Sequence, residues 1–185
     1  MNSIAVIYKS KYGTTKQYAE WIADALGAAL YEASTVKPSQ LSTFDIVVFG
    51  GGLYAGGIDG IKLVKSGACK SLVVFTVGLA DPTKTDYSVI LDRNFSKDLQ
   101  SRIKVFHLHG GMDYAALSFV HKLAMRFVRR RALTIAESER TQEDQLFLQT
   151  YGTKLDFTNR EAIAPIVRYV TDLSTHSSSL HASLI

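Results

Sequence analysis

The chain has 185 residues, 46% hydrophobic and 21% charged, with a net charge of +4. That is one domain's worth of an ordinary globular protein, long enough to bury a sizeable core and not biased enough to be disordered. A single cysteine, Cys69, excludes an internal disulfide framework and a multi-cysteine zinc site and fits a reducing cytoplasm. The N-terminal segment lacks the basic lead and long apolar stretch of a secretory leader, and no run is long enough to span a bilayer, so a cytoplasmic location is expected.

Apolar runs alternate with helical periodicities along the chain. Residues 3–8 (SIAVIY), 45–50 (DIVVFG), 71–77 (SLVVFTV) and 103–109 (IKVFHLH) are short β-branched or aromatic runs, with a weaker strand at 29–34. Their near-continuous apolarity suits strands covered on both faces, as in a parallel sheet. Residues 15–26 carry Tyr18, Ala19, Ile22, Ala23 and Leu26 at helical spacing, and Gly27 stands where a helix stops. Residues 87–99 predict a second helix with Ile90, Leu91 and Phe95 inward. Thr158 and Glu161 frame a capping box before Ile163, Ile166, Val167, Val170 and Leu173, with Pro165 implying a kink or a later start. The serine-rich stretch 174–185 reads as a poorly ordered tail beyond a domain of residues 1–173. The fold class is therefore α/β, a doubly wound sandwich, in which ligands bind beyond the carboxyl ends of the strands.

Three segments at those ends carry chemistry. After the first strand, Ser10, Lys11, Tyr12, Gly13, Thr14 and Thr15 place three hydroxyls, a glycine and a cation at a helix N-terminus, which suits a phosphate. After the third come Gly51, Gly52, Leu53, Tyr54 and Ala55 in a segment with five glycines in residues 50–57, where backbone can approach a flat ligand beside an aromatic ring. After the fourth come Thr76, Val77, Gly78, Leu79, Ala80 and Asp81, again with a glycine for close approach. There is no GxxxxGK[ST] segment, and the loose Gly50-x-Gly52-x-x-Ala55 pattern follows a later strand, with Lys70 and Ser71 where an acidic ribose ligand would stand. The end of the first strand, Tyr8-Lys9-Ser10, lacks the acidic pair of a phosphorylated receiver domain. One phosphate turn with two planar-ligand loops matches flavin mononucleotide (FMN).

The segment SKYGTTKQYAEWIADAL resembles the phosphate-binding signature of the flavodoxin family, with Ser10, Tyr12, Gly13, Thr14 and Thr15 on its hydroxyl-rich turn. The resemblance implies non-covalent FMN, a five-stranded parallel sheet of order 2-1-3-4-5, and redox chemistry at the flavin. Beyond the fifth strand, HGGMDYAALSFVHKLAMRFVRRR is absent from short electron-carrying flavodoxins, which are also acidic. That segment, with VGLADPTK and DFTNREAIAPIVRYV, resembles the flavodoxin-like menaquinone-dependent protoporphyrinogen IX dehydrogenases. It implies oxidation of a reduced porphyrinogen at the flavin with a quinone as acceptor; the alternative is an electron-transfer flavodoxin serving a redox-protein partner. No side chain stands out as acid or base, so no catalytic residue is assigned.

The insert, residues 110–135, has its own pattern. Leu117, Val120, Leu123, Ala124, Phe127 and Val128 fall on one helical face, and Lys122, Arg126, Arg129 and Arg130 on the other. Such a helix over residues 117–131 packs on its domain with arginines in solvent, meets anionic lipid peripherally, or holds an acidic substrate. No nucleic-acid partner is expected. His107 and His109 share a strand face, but without a supporting carboxylate or cysteine motif they and His121 do not predict a metal. Cys69 is read as a small buried filler.

Overall fold

A computed structural model describes residues 3–54, 56–65, 69–115, 117, 119–140 and 142–182. In chain order the elements are β1 (Ile4–Lys9), α1 (Thr14–Leu26), β2 (Ala29–Glu32), β3 (Ile46–Tyr54), β4 (Gly57–Ile58), β5 (Ser71–Gly78), α2 (Ser88–Asn94), α3 (Lys97–Arg102), β6 (Lys104–His109), β7 (Gly111–Asp113), α4 (Phe119–Thr134), α5 (Gln142–Thr150), β8 (Lys154–Asp156) and α6 (Ala164–Ala182). The main sheet runs β2-β1-β3-β5-β6 with every neighbour parallel, the expected 2-1-3-4-5 order once the two-residue return strand β4 is set aside. The fold is the α/β flavodoxin-like sandwich.

Alternate residues of each strand feed opposite layers, because successive side chains in a strand point to opposite faces. Val6, Val48, Val73 and Phe75 pack with Tyr18 and Ile22 of α1 and with Ile166 and Val170 of α6. Ala5, Ile7, Val47, Phe49 and Val74 pack on the other face with Leu41, Ile61, Val64 and Phe95. Half-buried Cys69 joins that second layer, and burial pushes its thiol up to about 11, so it fills space as an unreactive side chain. Gly27, in the left-handed region at φ 58°, ends α1 as its sequence position predicts, and Ala28 N–H closes the turn on the Ala23 carbonyl.

Several elements differ from the sequence expectation. β3 runs straight through Gly50, Gly51 and Gly52 to Tyr54, so this stretch is strand rather than loop. Its glycines make room for neighbours: a Cβ on Gly50 would lie 2.1 Å from Phe75 Cζ, and one on Gly51 would lie 2.5 Å from Ile58 Cγ2. The single helix expected over 87–99 is two, because Phe95 turns extended to bury its ring and Ser96 accepts the Leu99 N–H at 3.3 Å to start α3. At the last helix Asn159, not Thr158, is the cap; its Oδ1 accepts the Glu161 N–H at 2.9 Å and opens a short 3-10 turn. Thr158 Oγ1 donates instead to the Asp156 carboxylate at 2.7 Å. α6 then starts at Ala164, so Pro165 lies in its first turn, where a missing N–H costs nothing. Helical backbone continues to Ala182, through most of the stretch expected to be an unstructured tail.

The insert is longer than the 110–135 read from sequence. β7 and β8 form an antiparallel clip, Gly111 opposite Asp156 and Asp113 opposite Lys154, so the excursion from β6 spans residues 111–156. Inside it α4 packs on α5, and Tyr114 and Tyr151 lie 5.2 Å apart between ring centroids.

Candidate cofactor site at the carboxyl ends of the strands

The turn after β1 is built around Gly13. Its φ of 93° is a conformation glycine adopts without strain, and as the N-cap of α1 it offers no side chain to the first turn. Ser10 Oγ accepts the Gly13 N–H at 3.1 Å, bending the chain, and the helix begins with Gln17 N–H to the Gly13 carbonyl at 2.9 Å. The donors of the first helical turn, which have no intrahelical partner, are therefore left without a side-chain cap. Thr14 and Thr15 bring hydroxyls to the same end, Thr15 almost wholly buried. Uncapped N–H groups with adjacent hydroxyls suit a phosphate: the donors converge and the helix dipole favours negative charge.

Beside this turn lies an aromatic slot. Tyr54 packs edge-on to Tyr12, ring centroids 5.9 Å apart, and Lys11 Nζ sits 4.3 Å from the Tyr54 ring centroid. Burial raises the pKa of both phenols, so they remain neutral apolar walls at physiological pH. The same ammonium lies 3.8 Å from Asp59 Oδ2, an atom shut off from solvent with no hydrogen bond. Lys11 is thus positioned between a ring face and a carboxylate.

The third segment closes on the first two. Leu53 Cδ1 is 3.1 Å from where a Gly78 Cβ would stand, so the end of β5 meets the end of β3. The Gly78 carbonyl accepts the Gly110 N–H at 2.7 Å, and Thr14 Oγ1 lies 3.5 Å from a Cβ built on Gly110. The ends of the three segments, at Thr14, Leu53 and Gly78, therefore lie at one edge of the sheet. Thr76 turns its hydroxyl elsewhere, and Val77 Cγ1 lies 2.5 Å from where a Gly110 Cβ would stand. Both are buried strand residues, and Thr76 Oγ1 pairs with His107 Nδ1 at 2.6 Å. Asp81 spends its carboxylate on its own loop, accepting from the Thr83 hydroxyl and N–H, which with Lys84 hold its pKa below the usual carboxylate range. Gly51 is packed by Ile58, and Ala55 lies outside the described residues.

The residues present fit a flavin mononucleotide: hydroxyls and uncapped N–H groups at one end, an apolar aromatic wall at the other. His107 is not part of it; its ring stacks on Tyr87 at 3.6 Å, and burial pulls its pKa down to about 4. Among the described residues no three His, Cys, Asp or Glu side chains gather as a metal site.

Apolar spacing did not reveal three residues that hold the site. Tyr18 falls on the core face of α1 by its spacing, yet its hydroxyl donates to the His109 carbonyl at 2.8 Å. Buried Asn94 accepts the Ile58 N–H and donates to the Gly56 carbonyl at 2.8 Å, fixing the hairpin that carries Tyr54. Phe157 stacks on His109 at 4.3 Å, while His109 Nε2 lies 3.0 Å from the Leu79 carbonyl. A lone asparagine in a helix whose side chain cannot face solvent was the one signal available for Asn94.

A family model described as the flavodoxin domain matches residues 5–141, and the chain belongs to that family. Among solved structures, a flavodoxin from the domain Archaea is 15% identical, with 58% of this chain and 82% of that one covered at a TM-score of 0.44. Oxidised flavodoxin 2 from Bacillus cereus is 19% identical, covering 58% and 84%, also at 0.44. A flavodoxin described as WrbA-like, from Agrobacterium tumefaciens, is 21% identical, covering 55% and 69% at 0.39. A search of curated proteins finds no match. Among the described residues no helix is long and apolar enough to cross a membrane.

Proposed function

We propose that the protein is an FMN-dependent oxidoreductase that oxidises a reduced tetrapyrrole of the protoporphyrinogen IX kind and passes the electrons to a quinone. The observation that carries this reading is the insert of residues 111–156, clipped by β7 and β8 to the carboxyl end of β6 beside the candidate cofactor loops. An electron carrier that docks on protein partners needs an exposed cofactor edge, and a module beside that edge favours a small substrate held against it.

FMN, when bound, supplies the acceptor of a hydride equivalent and the donor of electrons to a second substrate. The chain's own residues do the rest. Ser10, Thr14 and Thr15 hold the phosphate, and Tyr12, Tyr54 and Leu53 wall the ring. The stacked pair His109–Phe157 offers a flat surface at the rim, where a planar tetrapyrrole would lie. Each two-electron step removes two electrons and two protons from the porphyrinogen and adds them to one quinone, giving a quinol.

Release of the flavin by denaturation and its identification by mass tests the cofactor, with FMN expected; FAD, or no flavin after incubation with excess FMN, overturns the reading. Anaerobic mixing with protoporphyrinogen then tests the substrate. Bleaching of the flavin band, reversed by a soluble quinone, is the expected result. A flavin reduced only by a partner reductase protein would make the chain an electron-transfer flavodoxin.

A further inference from the structure

One of the readings open from the sequence packs the apolar side of α4 on the domain with its arginines in solvent, and the structure turns the helix differently. Half-buried Met125 and buried Ala132, one above the other at seven residues' spacing, mark its inward side. Arg129 belongs near that side too, its guanidinium carbon 4.9 Å over the Tyr151 ring. What faces solvent is Phe119, Leu123 and Phe127, four residues apart and so in one row; Phe119 is 78% and Phe127 66% exposed. At 100° per residue Arg126 falls on one side of the row, Arg130 within its arc, and Arg131, four residues after Phe127, continues it. All three are exposed, and none is paired with a described carboxylate. Half-exposed Leu133 widens the apolar surface on the Arg126 side.

A row of large apolar side chains left in water on an otherwise well-packed chain marks a contact surface. From this geometry we infer that α4 docks on an anionic lipid surface, its Phe119–Leu123–Phe127 row entering the headgroup boundary and its flanking arginines meeting lipid phosphates. A convex crest with cations beside it and at its end matches a flat, deformable, negative layer, since the long arginine side chains reach headgroups while the rings sink. A second copy fits poorly, because crest against crest would bring Arg126 and Arg130 of each copy toward like charges. Attachment is peripheral, as no described helix is built to span. The inference stands on the surface of α4 and goes beyond the redox reading, although a membrane-held acceptor would lie close at hand.

The test is sedimentation of the full-length, flavin-loaded protein with phosphatidylcholine vesicles, with and without phosphatidylglycerol, at low and high salt. Binding that requires phosphatidylglycerol and weakens with salt is expected. The Phe119→Ser/Phe127→Ser variant should bind at least about tenfold more weakly, and Arg126→Gln/Arg130→Gln about twenty-five-fold, at roughly fivefold per cation lost. Flavin content and turnover with soluble substrates should be unchanged in both variants, which separates this inference from the proposed reaction. No vesicle binding by the wild type, or binding equal in wild type and both variants, overturns it. So does self-association without lipid that the Phe119→Ser/Phe127→Ser change abolishes, since a second copy would then be the occupant.

Discussion

The Tyr18 hydroxyl donates to the His109 carbonyl at 2.8 Å and accepts the Asn159 N–H at 3.0 Å. One side chain of α1 thus ties the rim of β6 to the segment that leads into α6. Tyr18→Phe keeps the ring in the core and removes only the oxygen, leaving two backbone groups short of a partner. We expect a loss of about 1–3 kcal/mol in urea unfolding, with the flavin-binding stoichiometry retained. A stability equal to wild type would mean that water replaces the hydroxyl.

The phosphate turn makes a second prediction. Thr14→Ala and Thr15→Ala should each weaken FMN by roughly 1.5–3 kcal/mol, the usual worth of a hydrogen bond to a charged group, read by titration calorimetry on the flavin-free protein. Riboflavin, which has no phosphate, should bind the variants and the wild type alike. Equal losses for both ligands would mean that the threonines support the turn and do not touch the phosphate.

Gly50→Ala separates packing from ligand approach. Its new Cβ would overlap the fully buried Phe75 ring, so overpacking should cost about 1–3 kcal/mol of stability. Flavin affinity in the folded fraction should hold. Lost flavin with unchanged unfolding would assign the glycine to the cofactor instead.

His107 sets a pH dependence. Buried against Tyr87, it stays uncharged until about pH 4, whereas the unfolded chain takes up this proton near 6.5. The unfolded state therefore binds more protons between these values, and stability falls as pH drops through that window. The half-buried ring limits the slope to about 1 kcal/mol per pH unit. Above pH 6.5 the residue contributes no pH dependence. Urea unfolding from pH 7 to 4.5 should be steeper in wild type than in His107→Gln; parallel curves would show that another group is responsible.

The order of the main strands was legible because both faces of each are covered, leaving continuous apolar runs, and the helix at Thr14 because hydroxyls and glycine gather where an N-terminus needs them. The strand character of Gly50–Gly52 was not, since a glycine reads as loop until the ring that needs its space is known, and Phe75 is distant in sequence. Nor was the clip, because strands of three residues carry no periodicity and Gly111 meets Asp156 only in three dimensions. Ser96 could have announced the break between α2 and α3, its hydroxyl lying three residues before Leu99. The inward side of α4 meets α5, a distant partner that apolar spacing within α4 alone does not encode.

The β7–β8 clip has a consequence for how this chain can change. Phe157 N–H bonds to the Gly110 carbonyl at 3.1 Å, so the polypeptide leaves and rejoins the sheet at nearly one point. Everything between is an appendage hung from a closed neck. Its length can grow, shrink or be exchanged without shifting the register of a single strand in the main sheet, because loop closure grows only slowly more costly with length. Selection can thus remodel what the protein meets at this rim while leaving the candidate cofactor loops untouched.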